Sequence, residues 1–274
     1  MSNLCVQELH VHPVKSVAGT APDEVAVEPW GLSGDRRWAL VDTEGTVITQ
    51  RQQPRLALAA ARPLGGGAVA LSAPGMGELV VEVPQPGPLE AVVLFGKKIE
   101  TVVAAGTAAD WFSAYLGLPA RLVYMDDPAV RRPVDPDYAL PGETVSLADA
   151  YPVLLTTRAS LDALNSLIAQ GDHPEEGPLP MNRFRPNVVV AGAEAWAEDG
   201  WRRIAIGDAV FRGARECGRC IVTTTDQATA ERGKEPLKTL ARHRRIGKSL
   251  AFGRQLVPVR AGTVRVGDEV RVLE

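Results

Sequence analysis

Cysteine is scarce in this chain. Three cysteines, Cys5, Cys217 and Cys220, occur in 274 residues, which argues against a disulfide framework and leaves ligand or redox chemistry to the close pair. Charge of one sign is also lacking: 30 Lys and Arg stand against 33 Asp and Glu, a formal net charge of -3. With no overall basic bias, no nucleic-acid or membrane partner is expected, and any anion site must be local. Long hydrophobic runs are missing too. Val188–Gly192 and Ala150–Leu155 fall far short of a membrane span. The N-terminal MSNLCVQELHVHPVKS lacks the apolar stretch of a signal peptide. A cytoplasmic protein is expected.

Several familiar signatures fail on inspection. No GxGxxG follows a strand. Gly247-Lys248-Ser249 ends like a phosphate-binding loop, but Arg242 stands where the first glycine belongs. Gly31-Leu32-Ser33-Gly34 is one residue short of a nucleophile elbow. No internal repeat of fixed period is present.

What remains is a chain with 45% hydrophobic residues, enough for a core, and of a length that suggests about two domains. Short β runs separated by Gly and Pro dominate: 4–12, 24–28, 38–42 with a hairpin partner at 46–51, then 68–71, 79–83, 91–94 and 98–103. This spacing suggests a sandwich or barrel. A helix is predicted at 108–116, capped by Thr107 and ended by Gly117, and a second at 159–169, capped by Thr157 or Ser160. After a Pro- and Arg-rich loop at 127–141, β returns at 187–191, 202–206, 209–212, 220–225 and 255–259. The last stretch, GTVRVGDEVRVLE, is expected to be a hairpin turning at Gly267-Asp268. A domain boundary is placed near 118–125, giving 1–122 and 123–274.

The most informative motif is Cys217-Gly218-Arg219-Cys220. A thioredoxin-like pair would open a helix, yet Ile221-Val-Thr-Thr-Thr225 is β-rich. A zinc site needs about four ligands, and only Cys5 and four scattered histidines remain. Two buried thiols are the plain reading. The alternative is a single thiolate ligand to a redox metal, with Arg219 beside it to favour the thiolate or to contact an anionic cofactor. Basic residues also recur in tight turns: His12-Pro-Val-Lys15-Ser16, Gly34-Asp35-Arg36-Arg37, Arg51-Gln-Gln-Pro-Arg55 and Arg183-Phe-Arg185-Pro-Asn187. Solvated surface explains most such charges singly, but the combination suits oxyanion recognition. His10 and His12 share a strand face and are read as packing or hydrogen bonding. Asp149 is by default a turn carboxylate.

Taken in order, LHVHPVKS, GLSGDRRWALVD, RQQPRL, SLADAYPVLL, NRFRPNVVV, ECGRCIVTTTD and VRVGDEV resemble the MOSC domain family preceded by its N-terminal β-barrel domain. Within that family they are most like the mitochondrial amidoxime-reducing components and their bacterial relatives. The resemblance implies a mainly β, α+β fold: a MOSC β-barrel plus a smaller N-terminal barrel-like domain, with the cofactor between them. It implies a molybdenum cofactor (molybdopterin) with Cys220 as the metal ligand. Lys15, Ser16, Arg36, Arg185, Asn187, Gly218 and Arg219 would hold the pterin and its phosphate, and Asp149 would be an acid near the metal that relays protons or orients groups. Gly218 departs from the family's serine, so that side-chain contact is lost. The implied activity is reduction of N-hydroxylated small molecules. With no further cysteines after the MOSC segment, electrons are expected from a separate ferredoxin-like or cytochrome b5-like protein. The alternative the family allows is a molybdenum-cofactor carrier or a persulfide-handling protein; a pyridoxal phosphate association also attaches to the family.

Overall fold

A computed structural model describes residues 4–274. Its largest sheet has eight strands. Along its main path run Cys5–Leu9, Val188–Ala191, Val153–Thr157, Ser249–Arg260, Ala209–Gly218, Arg203–Ile206 and Val270–Val272, and Arg245–Ile246 pairs with Ser249–Arg260 off that path. The pairs are antiparallel except Val153–Thr157 with Val188–Ala191. The first and last strands of the path approach each other: Cys5 bridges Glu269, and Val270 N donates to the Leu4 carbonyl at 2.9 Å. The sheet therefore nearly closes into a barrel, which leaves few backbone groups on open edges. Alternate residues point inward, with a bulge between Val6 and Glu8 that turns both Val6 and Leu9 to the inside, so Val6, Leu9, Val153, Leu155, Val188, Val190, Ile204, Ile206, Phe211 and Leu256 form one core.

A second, five-stranded sheet is ordered Val47–Ile48, Trp38–Val41, Arg121–Tyr124, Lys97–Val103, Leu89–Leu94. The helix Gly106–Leu116 packs on Arg121–Tyr124 of this sheet and on Leu79–Val81 of a neighbouring three-stranded sheet made of Ala60–Gly65, Ala68–Ser72 and Leu79–Val81. Its Trp111, Phe112 and Tyr115 are buried with Trp38, Leu40 and Leu71. Each such side chain contributes about 1.5–3 kcal/mol when fully buried. Gly117 ends this helix in the left-handed conformation, with φ 70°, as expected. Thr107 is not its cap: the helix begins one residue earlier, at Gly106, and Ala105 stands at the cap position with no side-chain bond. The second helix, Arg158–Ala169, is capped by Thr157, which accepts from Ser160 N, and buries Leu161, Leu164 and Ile168 along one face.

Two further expectations are corrected. The C-terminal hairpin does not form. Gly262–Arg265 pairs with Glu24–Glu28, whereas Val270–Val272 pairs with Arg203–Ile206. Its two strands bury Val264 and Val270 in one core yet find their ladders in different sheets. Residues 221–224 are a 3-10 turn rather than a strand. Thr223 Oγ1 and Thr224 Oγ1 donate to the carbonyls of Cys220 and Ile221, both at 2.9 Å. Such local threonine bonds compete with a sheet ladder. No helix among the described residues is long and apolar enough to cross a membrane.

Candidate active site

The strand Ala209–Gly218 ends beside a cavity of about 330 Å³. Its last turn sorts the two cysteines. Cys217 is buried, and its sulfur accepts from Arg219 Nη1 at 2.8 Å and Gln255 Nε2 at 3.1 Å. Burial pushes this thiol up, although Arg219 opposes it. The backbone then breaks from the strand: Arg219 N bonds the Leu250 carbonyl, and Cys220 starts the 3-10 turn. Cys220 is left half-buried on the cavity wall, with Arg51 Nη2 at 3.4 Å from its sulfur. One thiol is thus engaged by the scaffold, and the other faces open space.

Asp149 faces the same space. Its carboxylate accepts from Lys15 Nζ at 2.5 Å and Arg51 Nη2 at 3.1 Å. The side chain is 57% exposed to the cleft, yet protein surrounds the cleft. That enclosure alone would raise the carboxyl's pKa, but Lys15 and Arg51 outweigh it and hold the group well below the usual carboxylate range. Asp149 is therefore an anion at neutral pH, suited to orienting cations rather than to donating a proton. Lys15 is buried, and burial brings its pKa down to about 8 although Asp149 pulls the other way. The loop carrying Asp149 is braced from behind by Arg132, whose guanidinium donates to the carbonyls of Ser146, Ala148 and Asp149 at 2.8, 2.5 and 2.6 Å.

Three non-glycine residues of the wall hold left-handed backbone: Ser16 with φ 67°, Arg36 with φ 46° and Arg185 with φ 51°. Each costs about 1–2 kcal/mol. Surrounding bonds sustain them. Lys15 N donates to Trp38 O, Arg36 N to His12 O, and Gln50 Nε2 to Ser16 O, each at 2.8 Å. Backbone in such regions gathers at functional sites, and here it sets three basic turns against one cavity. Arg36 donates to Asp35 and to the Arg185 carbonyl, and Arg185 to the Val17 carbonyl. Burial and the nearby Arg36 push Arg185 down to about 9.

All nine residues singled out from the sequence (Lys15, Ser16, Arg36, Asp149, Arg185, Asn187, Gly218, Arg219 and Cys220) line this one cavity. They are not all free for a ligand. Asn187 spends its amide on backbone, accepting from Leu154 N at 3.1 Å and donating to the His10 carbonyl at 3.1 Å. Gly218 sits where an added Cβ would lie 3.1 Å from Ser249 Oγ, so a cavity-lining hydroxyl already stands against that position. His12 is buried, its ring Nε2 3.4 Å from the Pro186 carbonyl, which is the packing role expected. Arg37, Arg55 and Arg183 turn elsewhere, to the Met125 carbonyl, the Tyr115 ring and the Thr224 carbonyl. Arg51, Arg132, Arg215, Ser249 and Gln255 were not singled out as site residues. Only Arg51 carried a signal, as the first residue of a basic turn.

The cavity collects six cations (Lys15, Arg36, Arg51, Arg185, Arg215, Arg219) and three carboxylates (Asp135, Asp149, Glu216). Arg219 Nε and Tyr151 Oη are buried there without partners. A bound anion would satisfy such a surplus and favour the charged forms of Lys15 and Arg185.

Residues 3–119 match the MOSC N-terminal beta barrel domain, and residues 142–271 match the MOSC domain. This chain belongs to the MOSC family. Mitochondrial amidoxime-reducing component 1 of Homo sapiens is 34% identical over 286 residues, covering 98% of this chain and 82% of that protein. Mitochondrial amidoxime reducing component 2 of Rattus norvegicus is 33% identical over 286 residues, covering 97% and 82%. Among solved structures, the YuaD protein of Bacillus subtilis aligns over 98% of this chain and 94% of its own, at 12% identity and a TM-score of 0.45. The mainly β, α+β architecture with a near-closed barrel is that of this MOSC pair of domains.

Proposed function

We propose that this MOSC protein binds a molybdenum cofactor through Cys220 and reduces N-hydroxylated small molecules with electrons from a separate donor protein. The observation that carries the reading is a cavity-facing thiol, Cys220, set among cations of which Lys15 is buried and the arginines half-buried, while its motif partner Cys217 is engaged by Arg219 and Gln255. The names of the relatives, amidoxime-reducing components, give the substrate class.

The residues present fit such a group. A soft thiolate suits a metal of this kind, and the cationic wall with its orphaned Arg219 Nε suits a phosphate-bearing pterin. When bound, the cofactor supplies the two-electron exchange of the reaction, in which an N–OH compound takes up two electrons and two protons and yields the N–H compound and water. The chain binds and orients. Cys220 is the metal ligand; Lys15, Ser16, Arg36, Arg185 and Arg219 hold the pterin and phosphate, with Gly218 and Asn187 shaping the wall. Asp149, ionised, keeps Lys15 and Arg51 aimed into the cavity. The donor is of ferredoxin-like or cytochrome b5-like type.

The test is reduction of an aromatic amidoxime to the amidine by molybdenum-loaded protein supplied with an artificial reductant. Turnover is expected with the reductant and none with NADH alone. Full molybdenum with no turnover over a panel of N-hydroxylated compounds would instead assign the protein as a cofactor carrier.

A further inference from the structure

The hairpin joining Leu89–Leu94 to Lys97–Val103 turns through two residues, Phe95 and Gly96, with Leu94 opposite Lys97. Both have positive φ, 51° and 78°. A two-residue turn of this kind is the territory of Asn-Gly, Asp-Gly and Gly-Gly, and a bulky aromatic in left-handed backbone is an outlier. Nor does the hairpin core require Phe95, because Val92, Leu94 and Ile99 are packed in the core while Phe95 is 53% exposed. Local preference and burial therefore both argue against phenylalanine at this position.

What Phe95 touches accounts for it. Its ring lies 4.8 Å from the Arg51 guanidinium carbon and 5.4 Å from Lys15 Nζ, both within cation–π range. Those two cations grip Asp149, and Arg51 also reaches the Cys220 sulfur. Arg51 has a long, flexible side chain with 29% of its surface exposed, and the Phe95 ring lies over its guanidinium.

We infer that Phe95 is a positioning residue: it caps Arg51 and Lys15 from outside and holds them on Asp149 and the Cys220 thiol. The inference rests on the function proposed above for its kinetic arm only. The strained turn is retained for the site and against the stability of the hairpin, a conflict typical of functional positions.

The decisive variants are Phe95→Asn, which suits the turn and lacks a ring, and Phe95→Tyr, which keeps the ring. Phe95→Asn should melt at or above the wild-type temperature as apoprotein and bind molybdenum normally. Its kcat on an aromatic amidoxime should fall about 10-fold with KM little changed, since small misplacements of orienting groups cost up to about 100-fold. Phe95→Tyr should retain the wild-type kcat. In arginine-labelled apoprotein, the Arg51 Nε–H resonance, assigned by Arg51→Lys, should be protected in wild type and Phe95→Tyr and lost to exchange in Phe95→Asn. A lowered melting temperature in Phe95→Asn would make Phe95 a structural residue and overturn the inference, as would wild-type kcat with an unchanged Arg51 resonance. Should no N-hydroxylated compound be turned over by any of the proteins, the functional reading fails, and the Arg51 resonance alone decides this one.

Discussion

Replacing Asp149 by Asn keeps its shape and one acceptor but removes the negative charge between Lys15 Nζ at 2.5 Å and Arg51 Nη2 at 3.1 Å. A hydrogen bond to a charged group contributes about 1.5–3 kcal/mol, and the buried Lys15 end belongs in that range. The Arg51 end opens to the cleft, where solvent reduces a pair to about 0.2–1 kcal/mol. Asn can keep only one of these contacts, because its amide nitrogen, a donor, replaces the oxygen that faces the other cation. Lys15, already brought down to about 8, loses the attraction that opposed its burial and sheds its proton more readily, which limits the loss further. The expected decrease in apoprotein stability is about 2 kcal/mol, or roughly 4–8 °C in Tm. Asp149 is depressed below its unfolded value, so its stabilisation is present above the unfolded pKa and is lost as pH falls through the folded one. The Tm difference between wild type and variant should therefore be largest near pH 5 to 6, close as pH falls below about 4, and narrow towards neutral pH as Lys15 loses its proton in the variant. Turnover per bound molybdenum should fall about 10- to 100-fold with occupancy little changed. Calorimetry and metal analysis read both. An acid limb near pH 6 in the wild-type rate that disappears in Asp149→Asn would refute the reasoning, because it would make Asp149 a titrating acid. Unchanged Tm and turnover would equally refute it.

Other expectations follow from the same geometry. Cys220→Ser should abolish molybdenum binding in protein made by a cofactor-competent host, whereas Cys217→Ser should keep most of it; equal loss in both would refute the division of roles. Lys15 titrates near pH 8 in the apoprotein, so pyrophosphate affinity measured by calorimetry should decrease as pH rises through about 8, and Lys15→Arg should remove that break. Over pH 8 to 10.5 the unfolded chain binds more protons at Lys15, so this residue makes stability rise with pH there. A Cβ at Gly19 would lie 1.9 Å from the Val11 carbonyl oxygen, so Gly19→Ala should cost about 3 kcal/mol or more and displace the loop that carries Lys15, seen as a lowered Tm and lost anion binding.

Much of the site was legible because its residues sit in short turns with unusual chemistry. A cysteine pair around an arginine, and basic residues beside Ser, Asn or Pro, are visible without a fold. Their convergence was not visible, because it depends on pairings such as Cys5–Leu9 with Val188–Ala191, about two thirds of the chain apart. Arg132 escaped notice because its task is to bond three carbonyls, and no side-chain motif marks that. Phe95 escaped because one aromatic in a hairpin carries no pattern until its φ is known. The β runs predicted in the first half match strands to within a few residues, but Gly31–Leu32 and Ala60–Gly65 were missed. The segment after Cys220 was misread because threonine favours strands by composition yet here bonds its own backbone. The C-terminal hairpin was misread because adjacency in sequence was taken for pairing in space.

The barrel's near closure has a further consequence. Residues 15, 16, 36 and 51 reach the cavity from the first fifth of the chain, and 149, 185 and 215–220 from its second half. A ligand touching both sets acts as a removable crosslink between distant parts of the polymer. By mass action, a ligand at 1,000 times its dissociation constant adds about 4 kcal/mol to the folded state. Were that ligand the cofactor proposed above, its supply would set how long the protein survives unfolding and proteolysis in a cell, and abundance would become a readout of cofactor synthesis.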